Sequence, residues 1–136
     1  MIRPAQVCDL DDVLRISRAG FLAREDRFGA GWLVSVLALP GTRLWVESPG
    51  VGVIRGYLLT ESYQTGTLAR LVAVDPDYQR QGVGRRLLAM VAAPGSAWVR
   101  TENVASRGLF TAAGWEMAND PPKRRRAGSW VYFVRE

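Results

Sequence analysis

The chain has 136 residues, of which 48% are apolar and 23% charged, with a formal net charge of +5; a single domain over residues 1–136 with an ordinary soluble composition is expected. It contains no histidine and one cysteine, Cys8. Together these exclude Ser-His-Asp and Cys-His catalysis, His-containing and thiolate metal sites (no metal is expected), and an internal disulfide, and they fit a reducing cytoplasm. No apolar run reaches the length of a membrane span, and no signal-peptide core opens the sequence.

Met1 to Ala5 reads as a short strand, with Pro4 at an edge or an end. Asp9 precedes Leu10-Asp11-Asp12-Val13, which predicts an N-cap and an acidic first turn for a helix running to about Ser17–Ala19. From Phe21 to Leu39 the residues Phe28, Trp32, Val36 and Leu39 recur at helical spacing, with Gly29 and Gly31 weakening the middle. We expect a second, broken helix there whose aromatic stripe packs into the core. Arg43–Glu47 and Val53–Thr60 read as strands joined by a Ser48-Pro49-Gly50 turn, and Glu61–Gly66 as the turn that follows.

Leu68 to Val74 is an apolar run expected to form a strand covered on both faces, stopped by Asp75-Pro76. Gln79-Arg80-Gln81-Gly82-Val83-Gly84 then opens a helix with the apolar stripe Val83, Leu87, Leu88 and Val91. A glycine-rich turn at a helix start offers free backbone N–H groups and the positive end of the helix dipole, a seat for phosphate. Gly82 and Gly84 would let an anion approach the backbone, and Arg80, Arg85 and Arg86 would add charge-assisted bonds. A dinucleotide fingerprint needs glycine where Leu87 stands, and a P-loop needs a Gly-Lys-Ser/Thr ending that is absent.

Pro94-Gly95 ends that helix. Ala97–Arg100 is a strand that must run parallel to Leu68–Val74, because a helix crosses between them. Asn103 suits an N-cap for the helix that follows. Trp115–Ala118 and Ser129–Val134 are the last two strands, the second able to pair across a dimer; monomer and homodimer both remain open. Between them lies Lys123-Arg124-Arg125-Arg126, read as a solvated loop or as a contact for a ligand's phosphate, an acidic substrate or nucleic acid. Residues 1–75 carry eight basic and eight acidic side chains and residues 76–136 carry ten and five. The whole positive excess therefore lies in the second half, as a polyanionic ligand would favour.

Val-Ala-Val-Asp-Pro-x-Tyr followed by Gln79-x-x-Gly82-x-Gly84 resembles the acyl-CoA-binding motif of the GCN5-related N-acetyltransferases. The local likeness is to bacterial ribosomal-protein alanine acetyltransferases. Asn103-Val-Ala-Ser-Arg-Gly-Leu-Phe110-Thr-Ala-Ala-Gly114-Trp115 is similar to the family's second signature. The resemblance implies a mixed, mostly antiparallel α/β (α+β) sheet of six to seven strands flanked by about four helices. It implies acetyl-CoA as cofactor and acetyl transfer to a primary amine of a small molecule, protein or peptide by direct attack. By position, Val72, Ala73 and Val74 would line the pantetheine arm. Gln79, Arg80, Gln81, Gly82, Val83, Gly84 and Arg85 would hold the pyrophosphate, and Asn103 would bond the arm. The Val74 amide would polarise the thioester carbonyl.

Phe110 stands where the family commonly has a proton-donating Tyr, and Trp98 where the alanine acetyltransferases have a Glu base. Glu61, acting through water, is a candidate for the base and Tyr63 or Tyr132 for the acid, with water itself and Glu102 beside Asn103 as the alternatives. Two other readings stay open. One is a non-enzymatic acyl-CoA-binding regulatory module; the other is an acetyltransferase acting on an RNA-linked acceptor such as aminoacyl-tRNA.

Overall fold

The computed structural model describes residues 1–20, 28–50, 52–124 and 127–136. Seven strands, β1 (Ile2–Pro4), β2 (Thr42–Glu47), β3 (Gly56–Tyr63), β4 (Gly66–Val74), β5 (Gly95–Arg100), β6 (Glu116–Met117) and β7 (Trp130–Arg135), form one sheet in the order β1-β2-β3-β4-β5-β7-β6. All neighbours are antiparallel except β4 and β5, which are parallel. Four helices complete the described chain: α1 (Leu10–Gly20), α2 (Ala30–Leu37), α3 (Val83–Leu88) and α4 (Val104–Ala112). The mixed, mostly antiparallel sheet with about four helices is as the sequence implied. Among the described residues no helix is long and apolar enough to cross a membrane.

Alternation along the strands makes two cores, one on each face of the sheet. Leu44, Val46, Tyr57 and Leu59 pack with Val13, Ile16, Leu33 and Val36 under α1 and α2. On the other face Leu58, Ala97, Val99 and Phe133 pack with Val83, Leu87, Leu88 and Val91 and with Phe110 of α4. All four residues of the predicted stripe are buried, but α3 ends at Leu88, so Val91 packs from the segment beyond the helix.

Within β4 the alternation breaks. Leu59 is opposite Leu71 while Thr60 is opposite Ala69, so Arg70 is the extra residue of a β-bulge. Ala69 packs with the α3–α4 core, whereas Leu71 and Ala73 pack with the α1–α2 core. The bulge swaps the faces of everything beyond it.

Several boundaries differ from expectation, each for a local reason. Asp9 does not cap α1. It ends a 3-10 turn, Val7–Asp9, with its carboxylate turned back to the Gln6 amide at 2.7 Å and to Arg3 at 2.7 Å. Gly29 caps α2 rather than breaking it, and the part of the expected second helix over residues 21–27 lies outside the described residues. Strand β3 runs through Glu61 to Tyr63 instead of turning at Glu61. Strand β7 lies between β5 and β6, and the two-residue β6 pairs with it at Phe133 and Val134.

Candidate functional site

Parallel pairing of β4 with β5 is confined to Thr67–Gly95 and Leu68–Ser96. Beyond those rungs the strands splay, and a cleft of about 760 Å³ opens between Leu68–Val72 of β4 and Trp98–Arg100 of β5. Asn103, Ser106 and Phe110 from the α4 segment line it, as do Phe28, Trp32, Glu61 and Tyr63, with Arg124 and Trp130.

Hydrogen bonding tells which backbone groups face the gap. The Asp75 amide donates to the Arg55 carbonyl at 2.8 Å, and Gly56 is opposite Val74. Gly56 and Val74 are thus a non-hydrogen-bonded pair, and the N–H and C=O of Val74, like those of Val72, point away from β3 toward the edge that β5 has left. Ala73 differs from its neighbours. Opposite Tyr57, it turns its backbone to β3 and its side chain into the α1–α2 core, so it does not line the cleft as expected. The lining also stops at Val72, short of Val74.

Where β4 ends, the Asp75 carboxylate accepts from the Asp77 amide at 3.0 Å and from Arg15 at 2.9 Å, fixing the chain's exit. The next turn holds two left-handed residues, Arg80 (φ 64°) and Gly82 (φ 77°). Within the described chain, none of the amides from Gln79 to Arg85 donates a hydrogen bond. Consecutive unpartnered amides around left-handed residues make an anion-binding concavity. The Arg86 guanidinium bonds the Gln81 carbonyl at 2.9 Å and lies 3.5 Å from buried Glu47, bracing the turn against the sheet.

Gln79, Arg80, Gln81 and Arg85 are exposed around this turn, while Val83 sends its side chain into the core. Gly84 has a different reason from the one expected. A Cβ there would lie 2.8 Å from both methyls of Leu109, so this glycine lets α3 close on α4.

Asn103 caps α4, its Oδ1 accepting from the Ser106 amide at 3.1 Å, and it also lines the cleft. Phe110 is buried edge-on against Trp115 (5.1 Å) and stacked with Phe133 (5.3 Å), with one side on the cleft. Tyr132 packs tilted against Trp98, with ring centroids 4.6 Å apart.

Glu61 is nearly buried, and both its oxygens are taken, Oε1 by Arg70 and Oε2 by the Tyr63 hydroxyl. To act as the base, Glu61 would have to give up one of these two bonds. The Tyr63 proton is equally committed: its bond to Glu61, with some burial and the carboxylate's charge, raises its pKa.

Arg70, which donates to Glu61 through Nη1, also lies over the Trp32 ring at 5.2 Å. Sequence reasoning missed it, although it is the one charge within the apolar run LARLV. Phe28 and Trp32, expected in the core, reach the cleft as well as the core. Of the basic run, Lys123 is exposed and Arg124 packs over Trp130 (4.3 Å) and Trp98 (5.2 Å). Arg125 and Arg126 lie outside the described residues. Among the described residues no group of three His, Cys, Asp or Glu side chains is arranged to hold a metal ion.

Solved structures share this fold. The ribosomal-protein-S18-alanine N-acetyltransferase of Escherichia coli matches with a TM-score of 0.72 at 22% identity, covering 98% of this chain and 90% of its own. A phosphinothricin acetyltransferase from Sinorhizobium meliloti in complex with acetyl-CoA matches with a TM-score of 0.73 at 19% identity, covering 99% and 86%. The yncA protein of Salmonella typhimurium, solved with its cofactor acetyl-CoA, matches with a TM-score of 0.67 at 22% identity, covering 98% and 90%. No curated protein sequence matches the chain. The family model described as acetyltransferase (GNAT) domain matches residues 40–117, a span that runs from the start of β2 through both walls of the cleft to β6. The chain belongs to the GNAT acetyltransferase family.

Proposed function

We propose that the protein is an acetyl-CoA-dependent N-acetyltransferase acting on a primary amine by direct attack. The observation that carries this reading is a continuity. The unpaired edge of β4 at Val72 and Val74 runs through the Asp75 exit into the turn of unpartnered amides at Gln79–Arg85. An extended arm with amide groups and a diphosphate at one end fits such a donor set. Bound there, acetyl-CoA supplies an acyl group activated as a thioester.

In this reading the amides from Arg80 to Arg85, with the exposed Arg80 and Arg85 side chains, hold the diphosphate. The Val74 backbone takes the arm, and Asn103 reaches it from α4 while keeping its capping role. The Val72 amide, which faces the cleft, replaces Val74 as the donor to the thioester carbonyl. The acceptor amine enters beside Trp32 and Arg70 and must arrive neutral, since Glu61 is already doubly bonded. Orientation of two bound reactants then supplies much of the rate. Phe110 carries no proton to give, so α4 contributes shape rather than acid. Arg124 is packed on two tryptophans at the cleft, which favours a small-molecule or peptide acceptor over a nucleic-acid track on this loop.

Calorimetric titration of acetyl-CoA into the wild type and into Gly82→Trp tests the cofactor seat. Micromolar binding by the wild type, lost in a variant with an unchanged circular dichroism spectrum, is expected. Absence of binding to the wild type would sink the enzyme reading. Binding without thioester consumption by any amine would leave the regulatory module instead.

A further inference from the structure

We infer that the acceptor is a small zwitterionic amine, with a carboxylate and an apolar side chain as in a free amino acid, and that Arg70 recognises its carboxylate. The inference rests on the acetyl-transfer reading above and narrows it to one acceptor class.

Arg70 is placed by the β-bulge, a device that re-aims a side chain at the cost of local ladder pairing. Its side chain is 40% exposed and lines the cleft. Three contacts fix its guanidinium: Glu61 grips Nη1, Tyr63 holds Glu61 from the other side, and the Trp32 ring lies 5.2 Å beneath. Nε and Nη2 donate to nothing within the described chain. A planar cation held at one nitrogen, with further donors unspent on a side chain that lines the cleft, is pre-organised for a carboxylate and loses little side-chain freedom on binding it.

The same cluster excludes the opposite class. Glu61 is the one carboxylate among the described lining residues, and both its oxygens are occupied. Nothing else on the described lining would receive a second ammonium, so polyamines and lysine-rich peptides find no counter-ion there. Phe28 and Trp32, with ring centroids 4.8 Å apart, offer an apolar surface beside Arg70 for the acceptor's side chain.

The test compares acetyl transfer to L-phenylalanine and L-leucine with transfer to L-phenylalaninamide, phenethylamine and a short Phe-initiated peptide, each at equal concentration of neutral amine. The amino acids are expected to exceed the other three in kcat/KM by ~10–100-fold, the range of a charge-assisted bond. Arg70→Met is expected to raise the KM for L-phenylalanine far more than it lowers kcat, and to bring the ratio over its amide toward one. Glu61→Gln, which keeps Arg70 but loosens it, is expected to fall between. Equal use of phenylalanine, its amide and phenethylamine by the wild type would overturn the inference. So would a wild type that binds acetyl-CoA and acetylates neither amino acid. An acetyl-CoA titration of each protein reports whether it is folded, and the wild-type panel decides even where a variant is not. Loss of acetyl-CoA binding by the wild type would instead bring down the transferase reading, and this inference with it.

Discussion

Glu47 is almost completely buried, yet it bonds Arg55 through both oxygens and has Arg86 within 3.5 Å. Burial alone would raise its pKa; the hydrogen bond and charge of Arg55, with Arg86 behind, more than offset that and leave it lowered. Asp9 is lowered too, first by its hydrogen bond from Arg3 against the cost of burial, then by the Gln6 amide. A carboxylate whose folded pKa lies below its unfolded value contributes stability that is complete above the unfolded value. That contribution is lost as pH falls through the folded one. Unfolding midpoints in urea are therefore expected to be level from neutrality to about pH 5 and to drop below about pH 4. Asp9→Asn and Glu47→Gln should each make the drop shallower; an unchanged profile would show that neither pair couples to folding. Because Arg86 spans Glu47 and the Gln81 carbonyl, Glu47→Gln is also expected to weaken acetyl-CoA binding several-fold.

Among the elements, the contact of α3 with α4 has the least room. Gly84→Val would drive a side chain into Leu109, 2.8 Å from where the new Cβ would stand. Overpacking of this kind costs about 1–3 kcal/mol. Chemical denaturation should show that loss, and Leu109→Ala in the same protein should recover part of it. An additive double variant would mean that the clash is relieved elsewhere. Much at this scale was legible in the chain. LVAVDP announced a covered strand and its stop, and QRQGVG with its stripe announced the turn and α3, because both signals are local in sequence. The bulge was not legible, since its trace is one arginine in an apolar run and alternation is read without insertions. Glu61-Ser-Tyr63 looked like a turn because polar residues usually end strands. Here Arg70, brought from β4, and the Tyr63 hydroxyl both bond Glu61, and β3 continues in register with β4 to Gly66. The cleft-facing role of Phe28 and Trp32 was hidden for the same reason, as a ring that packs and a ring that lines a site have one periodicity.

For the molecule as a whole, a chain without histidine has an open sheet with a core on each face and a gap at its one parallel junction. Composition excluded the commonest nucleophilic and metal chemistries but could not say where two strands part, since splaying is settled only when α3 and α4 pack. Glu61, the one carboxylate among the described lining residues, has both oxygens bonded, and Tyr63 is held protonated by Glu61. The rate of acetyl transfer is therefore expected to rise with pH along a single limb that follows the acceptor amine, with no descending limb below about pH 10. A bell with a descending limb near neutrality would reveal an acid group that the cleft does not display.

The splay has a mechanical consequence as well. It divides the sheet into two leaves, β1–β4 and β5–β7–β6, stitched by two rungs, Thr67–Gly95 and Leu68–Ser96, and backed by the packing of α3 on α4. A ligand lying along Val72 and Val74 on one leaf and touching Asn103 beside the other is a third fastening across that seam. Loading and folding then become one equilibrium. At a hundredfold excess over its dissociation constant such a ligand adds about 2.7 kcal/mol, a sizeable share of what holds a domain of this size together. The cofactor supply of the cell would thus set how long each molecule lasts, alongside how fast it works.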